Sequence, residues 1–277
     1  MTSPLIKVSD VARMMQERPV TLLRAVMDDP ITNTPDARNA MVLPASVDFD
    51  LDGEGSDHAT GYPHSMPDVE TLSLYLGKQG ITENTPVVVY DTRGMFSAPR
   101  VWWMLKAIGH QEIYILDGGQ KAWEAAGLPT AEQQQYGKLT YHGYARTGWF
   151  VNAQTVSNVL KTDTQLVDAR SRPRFNGEVS EPRQGVRSGH MPGALNLPFM
   201  ELLNNGHLKE VDKLYDTFKQ HSIDLTKPII CTCGSGVTAC IVGIAAVMCG
   251  ATQISVYDGS WSEWGADLQY PVVTTQY

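Results

Sequence analysis

The chain carries one pattern twice, and that duplication constrains its fold more than any other feature. Thr85-Pro86-Val87-Val88-Val89-Tyr90-Asp91 returns downstream as Lys227-Pro228-Ile229-Ile230-Cys231-Thr232-Cys233. Ile115-Leu116-Asp117-Gly118-Gly119 with Trp123 returns as Val256-Tyr257-Asp258-Gly259-Ser260 with Trp264, the tryptophan at the same offset from the aspartate. Self-similarity of this kind points to a duplicated fold rather than one large core. A length of 277 residues with 42% hydrophobic content suits two ordinary domains better than one.

Each half alternates short apolar runs with helical segments such as residues 68–77 and 238–248. Short apolar runs bounded by turn residues read as buried strands, and their alternation with helices predicts an α/β fold: two tandem domains, each a mainly parallel sheet with helices on both faces. Residues 132–148 are rich in Gln, Tyr and Gly without a sustained period, so they are the expected linker between a first domain at 1–131 and a second at 149–277.

A net charge of -8 argues against a phosphate backbone or an anionic membrane surface as partner, because like charges repel at long range. A small molecule or a protein is the expected partner, with no nucleic acid and no membrane. Residues 1–7 lack the charged-then-apolar pattern of a secretory leader, which leads to the expectation of a cytoplasmic protein. The longest apolar stretch, residues 237–249, contains a glycine and falls short of the ~20 residues a bilayer requires, so it reads as a buried helix.

The four cysteines, Cys231, Cys233, Cys240 and Cys249, crowd into one segment, a poor layout for disulfide stapling and a good one for free thiols in a reducing compartment. Cys231-Thr232-Cys233 has no second ligand pair at zinc spacing, so no metal is expected. After the buried strand comes Cys233-Gly234-Ser235-Gly236-Val237-Thr238, then an apolar helix ending near Gly250. Glycines let the backbone curl so that successive N–H groups point inward, and the start of the helix adds partial positive charge at the same place. Such a cradle favours a thiolate over a thiol of ordinary pKa ~8.5, which makes Cys233 the expected nucleophile. Cys231, Cys240 and Cys249 fall in the strand or helix body and read as core.

This loop resembles the rhodanese superfamily, and within it the two-domain 3-mercaptopyruvate sulfurtransferases, whose catalytic loop has the same Cys-Gly-Ser-Gly-Val-Thr form. Asp168-Ala169-Arg170, Gly189-His190-Met191-Pro192-Gly193-Ala194, Tyr257-Asp258-Gly259-Ser260-Trp261-Ser262-Glu263-Trp264-Gly265 and Ser97-Ala98-Pro99-Arg100-Val101-Trp102-Trp103 also resemble the family. The resemblance implies a catalytic second domain and an inactive first one, in which Asp91 stands where the cysteine would be. It implies a Cys233 persulfide fed by 3-mercaptopyruvate, with pyruvate released and the sulfur passed to thioredoxin, a low-molecular-weight thiol or cyanide, without any cofactor.

By the same resemblance Gly234, Gly236, Val237 and Thr238 line the sulfur cradle, and Arg174 and Arg183 bind the substrate, a task suited to planar, permanently charged donors. Ser235, His64 and Asp52 correspond to a proton relay. Phe49-Asp50-Leu51-Asp52 and Pro63-His64-Ser65-Met66-Pro67 match that pattern with one extra residue between them. Thiosulfate-preferring relatives place basic residues after the cysteine, where this chain has Gly234 and Ser235, so mercaptopyruvate is the favoured donor. Thiosulfate:cyanide transfer and a non-catalytic sulfur carrier are the alternatives. Two departures fall in the first half: Arg24 stands at the place of Asp168, and residues 39–45 replace the turn seen at Gly189 to Ala194. A cysteine phosphatase would carry an arginine near the end of the loop, where this chain has Ala239. A papain-like protease would carry its cysteine early in the chain.

Overall fold

Runs such as Val87–Tyr90 and Ile229–Thr232 are too short and too uniformly apolar to form an amphipathic helix, and both become strands buried along their whole length. The computed structural model describes residues 3–30, 32, 34–36, 41–133 and 137–275. The expectations that touch residues 1–2, Asn39, Ala40 and 134–136 lie outside the described residues. The chain divides into two compact units, one comprising Met1–Asp57, Met66–Thr147 and Asn205–Leu208, the other His58–Ser65, Gly148–Asn204 and Lys209–Tyr277. No single cut of the chain separates them.

In the first unit β1 (Leu5–Ile6), α1 (Val8–Glu17), β2 (Thr21–Val26), β3 (Ser46–Asp50), α2 (Val69–Lys78), β4 (Val87–Tyr90), α3 (Ala98–Ala107), β5 (Ile113–Leu116) and α4 (Gly119–Ala125) follow in order. Their strands pair in parallel in the order β1-β5-β4-β2-β3. Parallel neighbours need crossover connections; α3 supplies the one between β4 and β5, whereas β2 and β3 are joined by residues 27–45, which hold no helix among the described residues. Residues 137–147 run along the same unit, with the Leu139 N–H on the Gly77 carbonyl and the Tyr144 N–H on that of Ile108.

The second part of the chain adds β6 (Phe150–Val151), α5 (Ala153–Val159), β7 (Gln165–Asp168), α6 (Arg172–Asn176), β8 (Leu195–Asn196), the short strands β9 (Leu203–Asn204) and β10 (His207–Leu208), α7 (Val211–Gln220), β11 (Ile229–Thr232), α8 (Ala239–Met248), β12 (Ile254–Tyr257) and α9 (Ser260–Trp264). The sheet of the second unit is again parallel throughout, in the order β6-β12-β11-β7-β8. With β9 and β10 set aside, this is the strand permutation of the first unit, so the repeat read from the sequence is a repeat of topology. The fold is of the α/β class expected.

The repeated tryptophans explain why their offset is kept. Trp123 packs with Leu22, Val88 and Tyr90 in one core, and Trp264 with Leu166, Ile230 and Tyr257 in the other. Each donates its indole N–H to a proline carbonyl shortly after its helix, at 2.9 Å to Pro129 and 2.8 Å to Pro271. A buried indole N–H without an acceptor would be costly, so the ring and its downstream turn form one unit. Helix α8 is buried from Ala239 to Ala246, which is why the stretch is apolar on all faces. It ends at Cys249 and Gly250, the latter with φ +85°. No described helix is long and apolar enough to cross a membrane.

Arg24 does occupy the place of Asp168. It pairs in register with Tyr90 on β4 as Asp168 pairs with Thr232 on β11. Its fully buried guanidinium is matched by two bonds to Asp48, both 2.7 Å.

Candidate active site

Cys233 directly follows β11, the middle strand of its sheet, at the carboxyl end of the parallel strands where ligands gather in α/β folds. The residue is a free thiol, 2% exposed. Gly236 takes φ +75°, which turns the loop toward α8, and Thr238 precedes the first turn of that helix without a side-chain cap bond. The loop amides of Ser235, Val237, Thr238 and Ala239 donate to no acceptor among the described residues.

The first unit shows where such amides point. Asp91 follows β4 as Cys233 follows β11, and Gly94, with φ +111°, stands at the offset of Gly236. One carboxylate oxygen of Asp91 accepts the N–H groups of Arg93 at 2.9 Å and Gly94 at 2.7 Å. The other accepts those of Phe96 at 2.8 Å, Ser97 at 3.0 Å and Ala98 at 3.0 Å. A loop of this form is therefore an anion cradle, and in the first unit its own side chain fills it. Ser235, Gly236, Thr238, Ala239 and Cys240 hold the matching places around Cys233, with the Cys240 N–H bonded instead to the Val237 carbonyl at 3.1 Å.

Two arginines approach the Cys233 loop. Arg174, on α6, lies against Gly234: a Cβ at Gly234 would stand 3.2 Å from its Nη2. Its Nε and Nη2 bond Glu181 at 3.2 and 2.5 Å. Glu181 also accepts Arg170 Nη1 at 2.9 Å, and Arg170 is clamped in turn on Asp168 and laid over the Trp261 ring at 4.3 Å. Burial works against the Arg170 charge, but Asp168 and Glu181 outweigh it and raise its pKa. Arg183 differs, since among the described residues its guanidinium bonds only Ser262 Oγ, at 3.2 Å, and pairs with no carboxylate. Burial, and then the nearby Arg174 charge, lower its pKa, while Cys233 and Glu181 act in the opposite sense. A half-buried guanidinium that pairs with no carboxylate and stands near a cysteine sulfur is suited to an incoming anion.

Of the three residues expected to form a proton relay, Ser235 and His64 meet within the second unit. Ser235 Oγ lies 3.0 Å from His64 Nδ1, both groups buried. His64 holds a left-handed backbone, φ +59°, in the segment His58–Ser65 that joins this unit. Asp52 lies in the first unit, where its carboxylate accepts the Asp28 N–H at 2.7 Å and its own N–H reaches Asp50.

The α9 serines and the carboxylates behind the arginines had no assigned role in the sequence reading, although the motifs that contain Asp168 and the two serines stood out. Ser260 Oγ accepts the Cys233 N–H at 3.2 Å. The Trp261 N–H bonds the Cys233 carbonyl at 3.0 Å, and the Ser262 N–H bonds the Gly234 carbonyl at 2.8 Å. Cys231, Cys240 and Cys249 are buried. Burial raises the pKa of Cys231, and that of Cys249 to about 11, which keeps both as thiols near neutrality. Among the described residues no three His, Cys, Asp or Glu side chains converge as a metal site.

A tandem α/β protein with one cysteine cradle and one carboxylate-filled cradle defines a class, and comparison with known proteins gives that class its name. The rhodanese-like domain family matches residues 32–126 and 152–267, and the chain belongs to the rhodanese family. It is 40% identical to the 3-mercaptopyruvate sulfurtransferase of Mus musculus over 227 residues, 80% of this chain and 76% of that protein. It is also 40% identical to the thiosulfate sulfurtransferase of Gallus gallus over 237 residues, 83% of this chain and 81% of that protein. The crystal structure of SseA from Escherichia coli, a 3-mercaptopyruvate sulfotransferase of rhodanese fold, superposes with a TM-score of 0.86 at 32% identity, covering 94% of this chain and 99% of SseA. The chain is thus a sulfurtransferase.

Proposed function

We propose that this enzyme takes sulfur from 3-mercaptopyruvate onto Cys233 and passes it to a thiol. The Cys233 thiolate attacks the substrate sulfur and an S–S bond forms. The C–S bond breaks with its electron pair on carbon, and protonation of the resulting enolate gives pyruvate. Ser235 delivers that proton, a reading supported by its hydroxyl lying 3.0 Å from His64 Nδ1. Arg183, with Arg174 behind Gly234, receives the carboxylate of the donor. The persulfide is an anion, and the amides of Ser235, Gly236, Thr238 and Ala239 hold it. An acceptor thiolate, on thioredoxin or a small thiol, then attacks the outer sulfur, and Cys233 leaves as the thiolate. No step requires a metal or an organic cofactor.

The carrying observation is the Asp91 carboxylate, held by five backbone N–H groups at the place that Cys233 occupies in the other copy. The decisive assay is pyruvate release from 3-mercaptopyruvate with a thiol acceptor, wild type against Cys233→Ser. The wild type is expected to turn over and to gain the mass of one sulfur atom on Cys233 when the acceptor is withheld. Equal turnover by the variant sinks the assignment. Thiosulfate as donor, with cyanide as acceptor, is the second reading, supported by the 40% identity to the Gallus gallus enzyme. Gly234 and Ser235 put no positive charge in the loop for that dianion, so its kcat/KM is expected to be the lower.

A further inference from the structure

The two cradles solve one mechanical problem in different ways. In the first unit the loop is clamped from inside by Asp91. In the second unit the centre must receive a sulfur anion, so the loop amides have to be held in place from outside. The Gly234 carbonyl is the point of attachment. It accepts the Ser262 N–H at 2.8 Å and the Ser262 hydroxyl at 2.6 Å, which occupies both of its lone pairs. Gly234 C=O and Ser235 N–H belong to one planar trans peptide and point in opposite directions. A carbonyl fixed on α9 therefore turns the Ser235 N–H toward the cradle, the direction taken by the matching Arg93 N–H on Asp91.

The same hydroxyl has a second partner. Because its proton goes to Gly234, its lone pair accepts Arg183 Nη1, at 3.2 Å. Ser262 is buried, while the corresponding residue of the first unit is the exposed Lys121. We infer that Ser262 is a positioning residue that sets the distance between the carboxylate-binding Arg183 and the sulfur-holding amides, so that one hydroxyl matches the enzyme to a donor whose carboxylate and sulfur lie a fixed span apart. Donation to Gly234 polarises the hydroxyl and strengthens its acceptance from the guanidinium. This inference rests on the proposed reading of Arg183 and Cys233.

The test uses the full chain and two alkylating probes, anionic iodoacetate and neutral iodoacetamide, read as the ratio of their rates at Cys233. Arg183 favours only the anionic probe, whereas a general loosening of the loop slows both. Ser262→Ala and the bulkier Ser262→Val are expected to lower the ratio about tenfold, in line with loss of a hydrogen bond to a charged group. They are also expected to raise KM for mercaptopyruvate more than they lower kcat. Ser262→Thr keeps the hydroxyl and is expected to restore the wild-type ratio. A ratio unchanged in both the Ala and Val variants overturns the inference. Failure of the wild type to release pyruvate would instead refute the donor assignment, and the alkylation ratio would still judge the bridge.

Discussion

Among single residues, Asp91 and His110 carry the sharpest consequences. Asp91 is 1% exposed and accepts five amides, so its carboxylate does in the first unit what a bound anion does elsewhere. Asp91→Asn replaces an acceptor oxygen by a donor facing N–H groups, and a loss of about 3 kcal/mol is expected. Urea unfolding followed by tryptophan fluorescence measures it. His110 is fully buried between Tyr141 and Thr85, its Nδ1 3.0 Å from the tyrosine hydroxyl and its Nε2 2.9 Å from the Thr85 carbonyl. Burial pushes its pKa down to about 4 from 6.5. Above pH 6.5 the ring is neutral both folded and unfolded, and its titration costs nothing. Below that pH the unfolded chain takes up a proton that the folded chain refuses until about 4. Stability should therefore fall by up to about 1.4 kcal/mol per pH unit across that window. His110→Gln should flatten this acid limb in denaturant melts taken between those pH values.

At the scale of elements, α8 presents the cradle at one end and a left-handed glycine near the other. Gly250 has φ +85° with open space where a Cβ would stand, so Gly250→Ala adds backbone strain without a clash. A loss of about 1 kcal/mol is expected, with kcat unchanged because the strain lies at the far end of the helix from Cys233. Thermal melts and pyruvate release check the two halves of that statement. Helix α9 shows what an element adds to a loop. Its five residues are too few for independent stability, yet Ser260, Trp261 and Ser262 each bond the backbone of Cys233 or Gly234. The motif was visible in the sequence. Its role was not, because a serine that holds a carbonyl and a serine that faces solvent read alike until the chain is folded.

Across the whole molecule, the units exchange short segments of chain: His58–Ser65 joins the unit that contains Cys233, and Asn205–Leu208 joins the other. His64 enters the site by this route. His64→Ala is expected to lower turnover by about a hundredfold, the lower end of what a positioned proton-transfer group contributes, while urea unfolding of the first unit stays unchanged. Loss of activity with a collapsed pH profile would agree with a proton role. Unaltered turnover would remove His64 from the mechanism.

The strand order came only from the fold, and an inactive copy carrying Asp91 was implied by resemblance, but the duplicated pattern and the cysteine loop were legible in the residues. Each depends on local signals: apolar runs, glycines at fixed offsets, and a nucleophile between a strand and a helix. Arg174 and Arg183 were found by resemblance, but folding separated them. Arg174 is held by a carboxylate that a second arginine shares, and Arg183 is left to Ser262. Charge balance within a buried cluster depends on which groups meet, and residues far apart in sequence meet only through the tertiary fold. The direction of each loop amide was decided the same way, by partners on α9 that no local pattern specifies.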